Sequence, residues 1–404
     1  MRAGLLFFVL HRTAAGCHEC TGDSTPFQGT TTRMRGLALK HRALLTALLI
    51  WLATAMPLYA QKADSILVTP ARLQQLGIHR GMLLPSVLSH DGNVLLATEK
   101  QPDPKLKAQG KVWMLHVFHI DWNAHNVSMK TMYVPTTNFD QSALAPDSRH
   151  VLAICDAGTE FIAIDLKHMT ARIIFKNRVG VAGFRSYPEV LWYQNKAFHV
   201  VGYYYDAKGF AHGDSIAAVD LDGTGVSAFK QVRDIHYQAK KTRSFCIGQW
   251  YSDNEAYFGG VEPSDKMMHL NAWIGNTPMP VDIALGYGGM AVGQDRVFYL
   301  ARYTRTKYGA VVYDTSERKR WQIGDGKTIY AYPYMSDDGS TILVSHFNFQ
   351  NHTMTVWYGR EQDNFHLIPV PGLVNVRPGT IRFAKNGRVL VFYNDDGLRF
   401  IRIP

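Results

Sequence analysis

A short polar turn rich in Asp, Asn and Gly, followed directly by an apolar strand, recurs seven times along this chain of 404 residues. It reads His90-Asp91-Gly92-Asn93 before Val94-Leu95-Leu96-Ala97, Pro146-Asp147-Ser148-Arg149-His150 before Val151-Leu152-Ala153-Ile154, and Gln194-Asn195-Lys196 before Ala197-Phe198-His199-Val200. It returns as Ser252-Asp253-Asn254-Glu255 before Ala256-Tyr257-Phe258 and as Gln294-Asp295-Arg296 before Val297-Phe298-Tyr299. The last copies are Ser336-Asp337-Asp338-Gly339-Ser340 before Thr341-Ile342-Leu343 and Lys385-Asn386-Gly387-Arg388 before Val389-Leu390-Val391. Counted from Val94, Val151, Ala197, Ala256, Val297, Ile342 and Val389, the steps are 57, 46, 59, 41, 45 and 47 residues.

That spacing is the size of one blade of a β-propeller, about 40 to 50 residues. The expected fold is therefore all-β, a seven-bladed propeller in which each blade packs only on its neighbours, so one domain can exceed the usual size of a single core. A six-bladed ring with one of the long steps misassigned is the rival. Apolar alternation outlines the strands most clearly in the second blade: Ser142 to Ala145 innermost, then Val151 to Cys155, Glu160 to Asp165, and Ala171 to Phe175 outermost. The seventh blade has three strands after Thr380, and Ser65-Ile66-Leu67-Val68-Thr69 can supply the fourth, closing the ring and removing its exposed edges. Between that strand and the first blade, Pro70 to Ile78 reads as a helical turn or two.

Residues 1–60 read as separate from the folded domain. Arg33, Arg35, Lys40 and Arg42 precede an apolar run from Ala43 to Met56, and small-residue cleavage sites follow at Ala53-Thr54-Ala55 and Leu58-Tyr59-Ala60, the pattern of a secretory signal cut after Ala60. The run is shorter than the roughly 20 residues that span a bilayer, so no stable membrane span is expected after cleavage, with an uncleaved anchor as the alternative. Met34 is the expected start, which would leave Cys17-His18-Glu19-Cys20 outside the mature protein. The expected layout is 61–82 for the closing strand and helical turn and 83–404 for the propeller, in a periplasmic or secreted protein. Residues 1–60 hold six Lys/Arg and two Asp/Glu, so their removal lowers the formal charge from +10 to +6, too mild to argue for nucleic acid. Cys155 and Cys246, in apolar strands two blades apart, are expected to be buried free thiols.

If the recurring turn joins the first and second strands of each blade, the second-to-third-strand loops share the opposite face with the blade connections. Those loops vary: Glu99 to Gly110, Tyr204 to Asp214 with Tyr205, Phe210 and His212, Glu262 to Met267, Arg302 to Tyr308 with Tyr303, Arg305 and Lys307, and His346 to His352 with Phe347, Asn348 and Phe349. A uniform scaffold on one face and variable aromatic, basic and His-bearing loops on the other mark a binding surface. The candidate ligand-binding residues are Tyr205, His212, Arg302, Tyr303, Arg305, His346, Asn348 and His352: the arginines and histidines for an anionic group, the tyrosines and Asn348 for hydrogen bonds and stacking to a sugar. His346, Gln350 and His352 offer metal-ligand chemistry without an acidic partner. His116 and His119, three apart in a strand, point to opposite faces and cannot share an ion. There is no Gly-x-Ser-x-Gly elbow, no His-Glu-x-x-His, no phosphate-binding Gly loop and no dinucleotide fingerprint.

At Ser89-His90-Asp91-Gly92, Ala145-Pro146-Asp147-Ser148 and Ser336-Asp337-Asp338-Gly339 the turn resembles the Ser-Pro-Asp-Gly turn of TolB-like, WD40-like propellers. The resemblance covers residues 83–404 and implies the fold rather than a function. TolB carries an additional α/β domain for which this chain has no room after its expected signal, so its docking role is not carried over. The Trp-Asp and Gly-His pairs of WD40 repeats are missing. The leading expectation is an exported, monomeric, non-catalytic propeller without a cofactor that binds an envelope protein or glycan through its variable face. The alternative is a metal-assisted lyase of uronic acid oligomers, resembling the propeller lyases, with one divalent ion near His346, Gln350 and His352. A purely structural scaffold is the third reading.

Overall fold

The apolar stretch after each recurring turn is the second strand of a small antiparallel sheet in the computed structural model. The structure describes residues 64–403 other than 79–82, 101–102, 109–111, 178–182, 195, 206–210, 221–225, 237–243, 246–249, 252–255, 262–266, 275–276, 349–352, 371–372, 374–375 and 377–379. The expected signal segment, Met34, Cys17, Cys20 and Cys246 lie outside the described residues. Residues Lys62–Pro404 group as one unit.

The chain enters through β1 (Ser65–Val68) and α1 (Pro70–Gln75). Blade 1 consists of β2 (Leu84–Leu88), β3 (Val94–Lys100), β4 (Trp113–Asp121) and β5 (Asn126–Val134), with α2 (Pro104–Ala108) between its second and third strands. Blade 2 is β6 (Phe139–Leu144), β7 (His150–Cys155), β8 (Glu160–Asp165) and β9 (Thr170–Lys176), and blade 3 is β10 (Gly183–Gln194), β11 (Ala197–Tyr205), β12 (Ala211–Asp220) and β13 (Val226–His236). In blade 4 the first strand is split into β14 (Ser244–Phe245) and β15 (Trp250–Tyr251), both paired with β16 (Ala256–Val261), and β17 (Met268–Ile274) and β18 (Thr277–Ala284) follow. Blade 5 holds β19 (Gly286–Gly293), β20 (Arg296–Arg302), β21 (Tyr308–Asp314) and β22 (Lys319–Ile323). Blade 6 holds β23 (Tyr330–Met335), β24 (Thr341–Asn348), β25 (Thr353–Arg360) and β26 (Ile368–Pro369), and blade 7 holds β27 (Arg382–Phe383), β28 (Val389–Asn394) and β29 (Gly397–Arg402).

The described residues thus form seven sheets, and the last is completed by β1, which pairs antiparallel with β29 from Ser65↔Ile401 to Val68↔Leu398. The closing strand is held by side chains as well as by its ladder. Ile66 and Val68 are buried against Leu398, Phe400 and Val391, and burying one such side chain contributes about 1.5–3 kcal/mol. Helix α1 is started by Thr69, whose hydroxyl accepts the Arg72 amide at 3.3 Å, and by Pro70 in the first turn; it adds Leu73 to the same core.

The core lies between blades. One apolar layer joins blades 7 and 1, others join 1 and 2, 2 and 3, 4 and 5, 5 and 6, and 6 and 7. This corrects the expected alternation for the second strands. In β3, Val94 and Leu96 face blade 2 while Leu95 and Ala97 face blade 7, so both faces are buried and the strand reads as one apolar run. Strands β2, β6, β10, β19 and β23, each innermost in its blade, carry a register shift against the second strand. Such bulges bend a strand and increase its twist.

Candidate functional site

The two ends of the blades differ in how their polar groups are used. On the face of the recurring turns, Ser89 Oγ donates to Asp91 Oδ1 at 2.6 Å and accepts the Val94 amide at 2.8 Å, while Asp91 Oδ1 accepts the Asn93 amide at 3.0 Å. Blade 6 repeats this: Ser336 Oγ donates to Asp338 Oδ1 at 2.5 Å and accepts the Thr341 amide at 2.9 Å. Burial pushes the carboxyls of Asp91 and Asp338 up, but the hydrogen bonds from Ser89 and Asn93, and from Ser336 and Ser340, outweigh it and hold both below the ordinary carboxylate range. Gly92 takes φ +78°, and a Cβ there would meet Val389 of blade 7 at 2.5 Å, so the turn needs glycine both for its backbone and for the approach of the neighbouring blade.

A second set of turns, between the third and fourth strands of three blades, escaped the sequence reading. The third strands of blades 1, 2 and 5 end in Asp121, Asp165 and Asp314, and in each the Oδ1 oxygen accepts the amides two and three residues on, at 2.8–3.2 Å. The fourth residue after each aspartate, His125, Met169 or Arg318, is left-handed. Arg149 donates to Asp165 at 3.2 and 2.8 Å, and Arg296 donates to Asp314 at 2.9 Å and reaches across to Glu361 and to the Gly339 carbonyl of blade 6. The Arg149 guanidinium holds the Asp165 carboxyl far below the ordinary range. A cleft of about 220 Å³ opens beside this pair between blades 2 and 3, with Leu152, Phe198 and Val219 among its apolar lining and Arg149, Asp165 and Asp220 among its polar groups. Arg149 with Asp165, and His150 with Asp147 at 2.6 Å, already satisfy one another.

On the opposite face the blade 5 loop between β20 and β21 is ordered by its own hydrogen bonds. The Tyr303 amide donates to the Lys307 carbonyl at 2.9 Å, the Lys307 amide to Thr304 Oγ1 at 3.0 Å, and the Tyr308 hydroxyl to the Arg305 carbonyl at 3.2 Å. Arg302 lies over the Tyr308 ring at 5.9 Å, and Lys307 over the Tyr303 ring at 5.8 Å. Arg302, Arg305 and Lys307 are exposed, and no carboxylate among the described residues pairs with them.

The candidate residues fall into three groups. Arg302, Tyr303 and Arg305 share the blade 5 loop, but the Tyr303 hydroxyl donates to Asp282 of blade 4 at 2.6 Å and accepts from Arg320, so it braces the loop from beneath. Burial and the Asp282 carboxylate push the Tyr303 hydroxyl well above its ordinary value. His346 is half-buried in β24, opposite Tyr330 and Thr355, and no hydrogen bond or ion pair joins it to Arg302 or Arg305. Tyr205, His212 and Asn348 are described through their strand pairing alone, Tyr205 with Ala211, His212 with Tyr204 and Asn348 with Thr353. Gln350 and His352, with the expected metal site they would complete, lie outside the described residues. Among the described residues no three His, Cys, Asp or Glu side chains gather as metal ligands, and no helix is long and apolar enough to cross a membrane.

Beneath the same face, His116 lies between Glu99, whose Oε2 is 3.1 Å from its Nε2, and Thr131, whose Oγ1 is 2.8 Å from its Nδ1. Glu99 and His116 are each 1% exposed, so this relay ties three strands of blade 1 together at a buried carboxylate. Cys155 is a buried free thiol whose pKa burial pushes up to about 12, which makes it unreactive.

No family model and no curated protein matches the sequence. Among solved structures the chain is similar to the β-propeller domain of Myceliophteria thermophila Cps50 (Swd1), with 12% identity, a TM-score of 0.50, and coverage of 81% of this chain and 99% of that one. The uncharacterized protein lmo1340 of Listeria monocytogenes EGD-e matches at 11% identity and TM-score 0.49 over 78% of this chain and 90% of its own. The β-propeller domain of the trilobed protease of Pyrococcus furiosus matches at 11% identity and TM-score 0.47 over 77% and 88%. The likeness to the Swd1 domain is one of fold alone, a WD40-like β-propeller, and the other two carry no further argument.

Proposed function

We propose that this chain is an exported, non-catalytic propeller, TolB-like in its turns, that recognises an envelope protein or glycan through its loop face. The observation that carries the reading is the blade 5 loop. Arg302, Arg305 and Lys307 are held out on a turn braced by its own backbone and by Tyr303 on Asp282, and they lack carboxylate partners among the described residues. Three exposed cations held close together on an ordered loop repel one another and are placed to pair with an anionic group brought by a ligand, the guanidiniums by charge-assisted hydrogen bonds. On the turn face Arg149 and Arg296 pair with Asp165 and Asp314, and the exposed cations Lys167, Arg318 and Arg388 stand on separate turns rather than together on one loop.

The test is binding by the mature protein to envelope fractions, with the wild type compared with an Arg302→Ala, Arg305→Ala, Lys307→Ala variant that melts at the same temperature. Loss of an identified ligand in the variant supports the reading, and retention of binding removes it. Elemental analysis and the N-terminal mass of the secreted protein complete the test. A chain beginning at Gln61 without stoichiometric metal is expected, whereas one divalent ion per chain would favour the lyase reading.

A further inference from the structure

Resting on the proposal that the blade 5 loop face is the binding surface, we infer that it takes an acidic peptide segment with an aliphatic anchor, rather than a polysaccharide. Three observations decide between the two. The first is charge. Gly326 accepts the Tyr308 amide at 2.9 Å and so holds the blade 5 to blade 6 connection beside the loop, adding Lys327 to Arg302, Arg305 and Lys307. The acid of that connection, Asp325, caps its own turn through the amides of Lys327 and Thr328 at 2.9 and 2.8 Å and stays ionised, one negative charge against the four cations. The surface is therefore cationic, and guanidinium groups pair with carboxylates in a planar, two-bonded geometry.

The second observation concerns the aromatic rings. Sugar recognition of the expected kind stacks the ligand on open tyrosine faces. Here Arg302 lies over Tyr308, while Lys307 and Arg320 lie over Tyr303 at 5.8 and 5.7 Å, so cations already occupy the ring faces. The third is the flanking apolar surface. Leu285, whose amide donates to the Arg302 carbonyl at 2.7 Å, is 45% exposed, and Ile329 at the end of the other connection is 50% exposed. Two branched aliphatic side chains beside a cationic loop complement a Leu, Ile or Phe flanked by Asp or Glu. A uronic acid polymer would engage the cations and leave both uncovered. Each is about half exposed, so covering one adds only part of a full burial, which is enough for about a tenfold preference among anionic ligands.

The test uses the full mature chain and three fluorescent probes of matched charge: a peptide alternating Glu with Leu, a poly-glutamate peptide and an oligogalacturonate, each titrated by anisotropy. The expected result is about tenfold tighter binding of the Glu/Leu peptide than of either other probe. Leu285→Ser and Ile329→Ser should each weaken that peptide several-fold without changing its salt dependence, and Arg302→Ala with Arg305→Ala should weaken all three probes and flatten the salt dependence. Equal or tighter binding of oligogalacturonate, together with no effect of the two serine variants, overturns the peptide assignment and leaves the loop as the binding surface. Probe binding that the double arginine variant leaves unchanged, or no binding of any probe below about 1 mM, overturns both.

Discussion

The turn face and the loop face of this propeller are built from the same strands, yet they use polar side chains in opposite ways. On the turn face Ser89 with Asp91, Ser336 with Asp338, and the aspartates that end β4, β8 and β21 saturate backbone amides, and Arg149 and Arg296 pair with Asp165 and Asp314. On the loop face Arg302 and Lys307 cover tyrosine rings and keep their charge toward solvent. The difference teaches that repetition follows the groups the fold consumes. A turn that must satisfy the same orphan amides, as in blades 1 and 6, converges on one chemistry, whereas a loop that satisfies only itself is free to differ.

The largest expected effect lies under the loop face rather than on it. His116→Ala strands the Glu99 carboxylate, which is buried and whose Oε1 already has no hydrogen-bond partner among the described residues, and should cost about 3–5 kcal/mol in denaturant unfolding. On the turn face, Arg296→Ala removes the guanidinium from Asp314, which is 3% exposed, and unpins blade 6; about 3 kcal/mol is expected by the same measurement. Ser336→Ala, which takes one hydroxyl from the Thr341 amide and Asp338, should cost about 1–3 kcal/mol.

Acid acts mainly on the turn face, although Asp325 beside the loop is held low as well by the amides of Lys327 and Thr328. Asp91, Asp147, Asp165 and Asp338 have carboxyls held low by their native hydrogen bonds, so their contribution is complete above the unfolded carboxylate value of about 4 and is lost as pH falls through the lower folded values. The thermal unfolding temperature should fall slightly below about pH 6.5, because burial and Lys130 hold the His119 imidazole below its ordinary value, and more steeply below about pH 4, with Asp338→Asn reducing the acid slope. The smallest effect is expected on the loop face. Arg302→Ala, Arg305→Ala and Lys307→Ala together should change unfolding by no more than about 0.5 kcal/mol and follow the wild-type acid curve. A larger loss would mean that the loop belongs to the scaffold, and the comparison would fail.

The blades, the first-to-second-strand turns and the closing strand were legible in the chain because their determinants are local: a turn at near-constant offset from an apolar run, and a spare strand near one end for a blade short of one at the other. The third-strand aspartates were not. Asp121, Asp165 and Asp314 stand at different distances from the preceding turn, since the loop between second and third strands has a different length in each blade. His116 was weighed only against His119, because Glu99 and Thr131 become its neighbours only through cross-strand pairing. Tyr303 looked like a ligand contact for the same reason, its partner Asp282 belonging to the preceding blade and Arg320 to an outer strand. The exposure of Arg302 and Arg305 was legible because a charge on a loop between two apolar strands needs no partner to stay in solvent.

The pairing of β1 with β29 sets an order of events in biosynthesis. A chain that emerges from its N-terminal side presents β1 long before its partner strand exists. The intervening blades can assemble one on another in the meantime, but Ile66 and Val68 stay uncovered until Leu398 and Phe400 arrive. The ring is then sealed late, when β29 pairs with β1, so a chain that stops short of β29 keeps Ile66 and Val68 exposed to proteases and to other apolar surfaces.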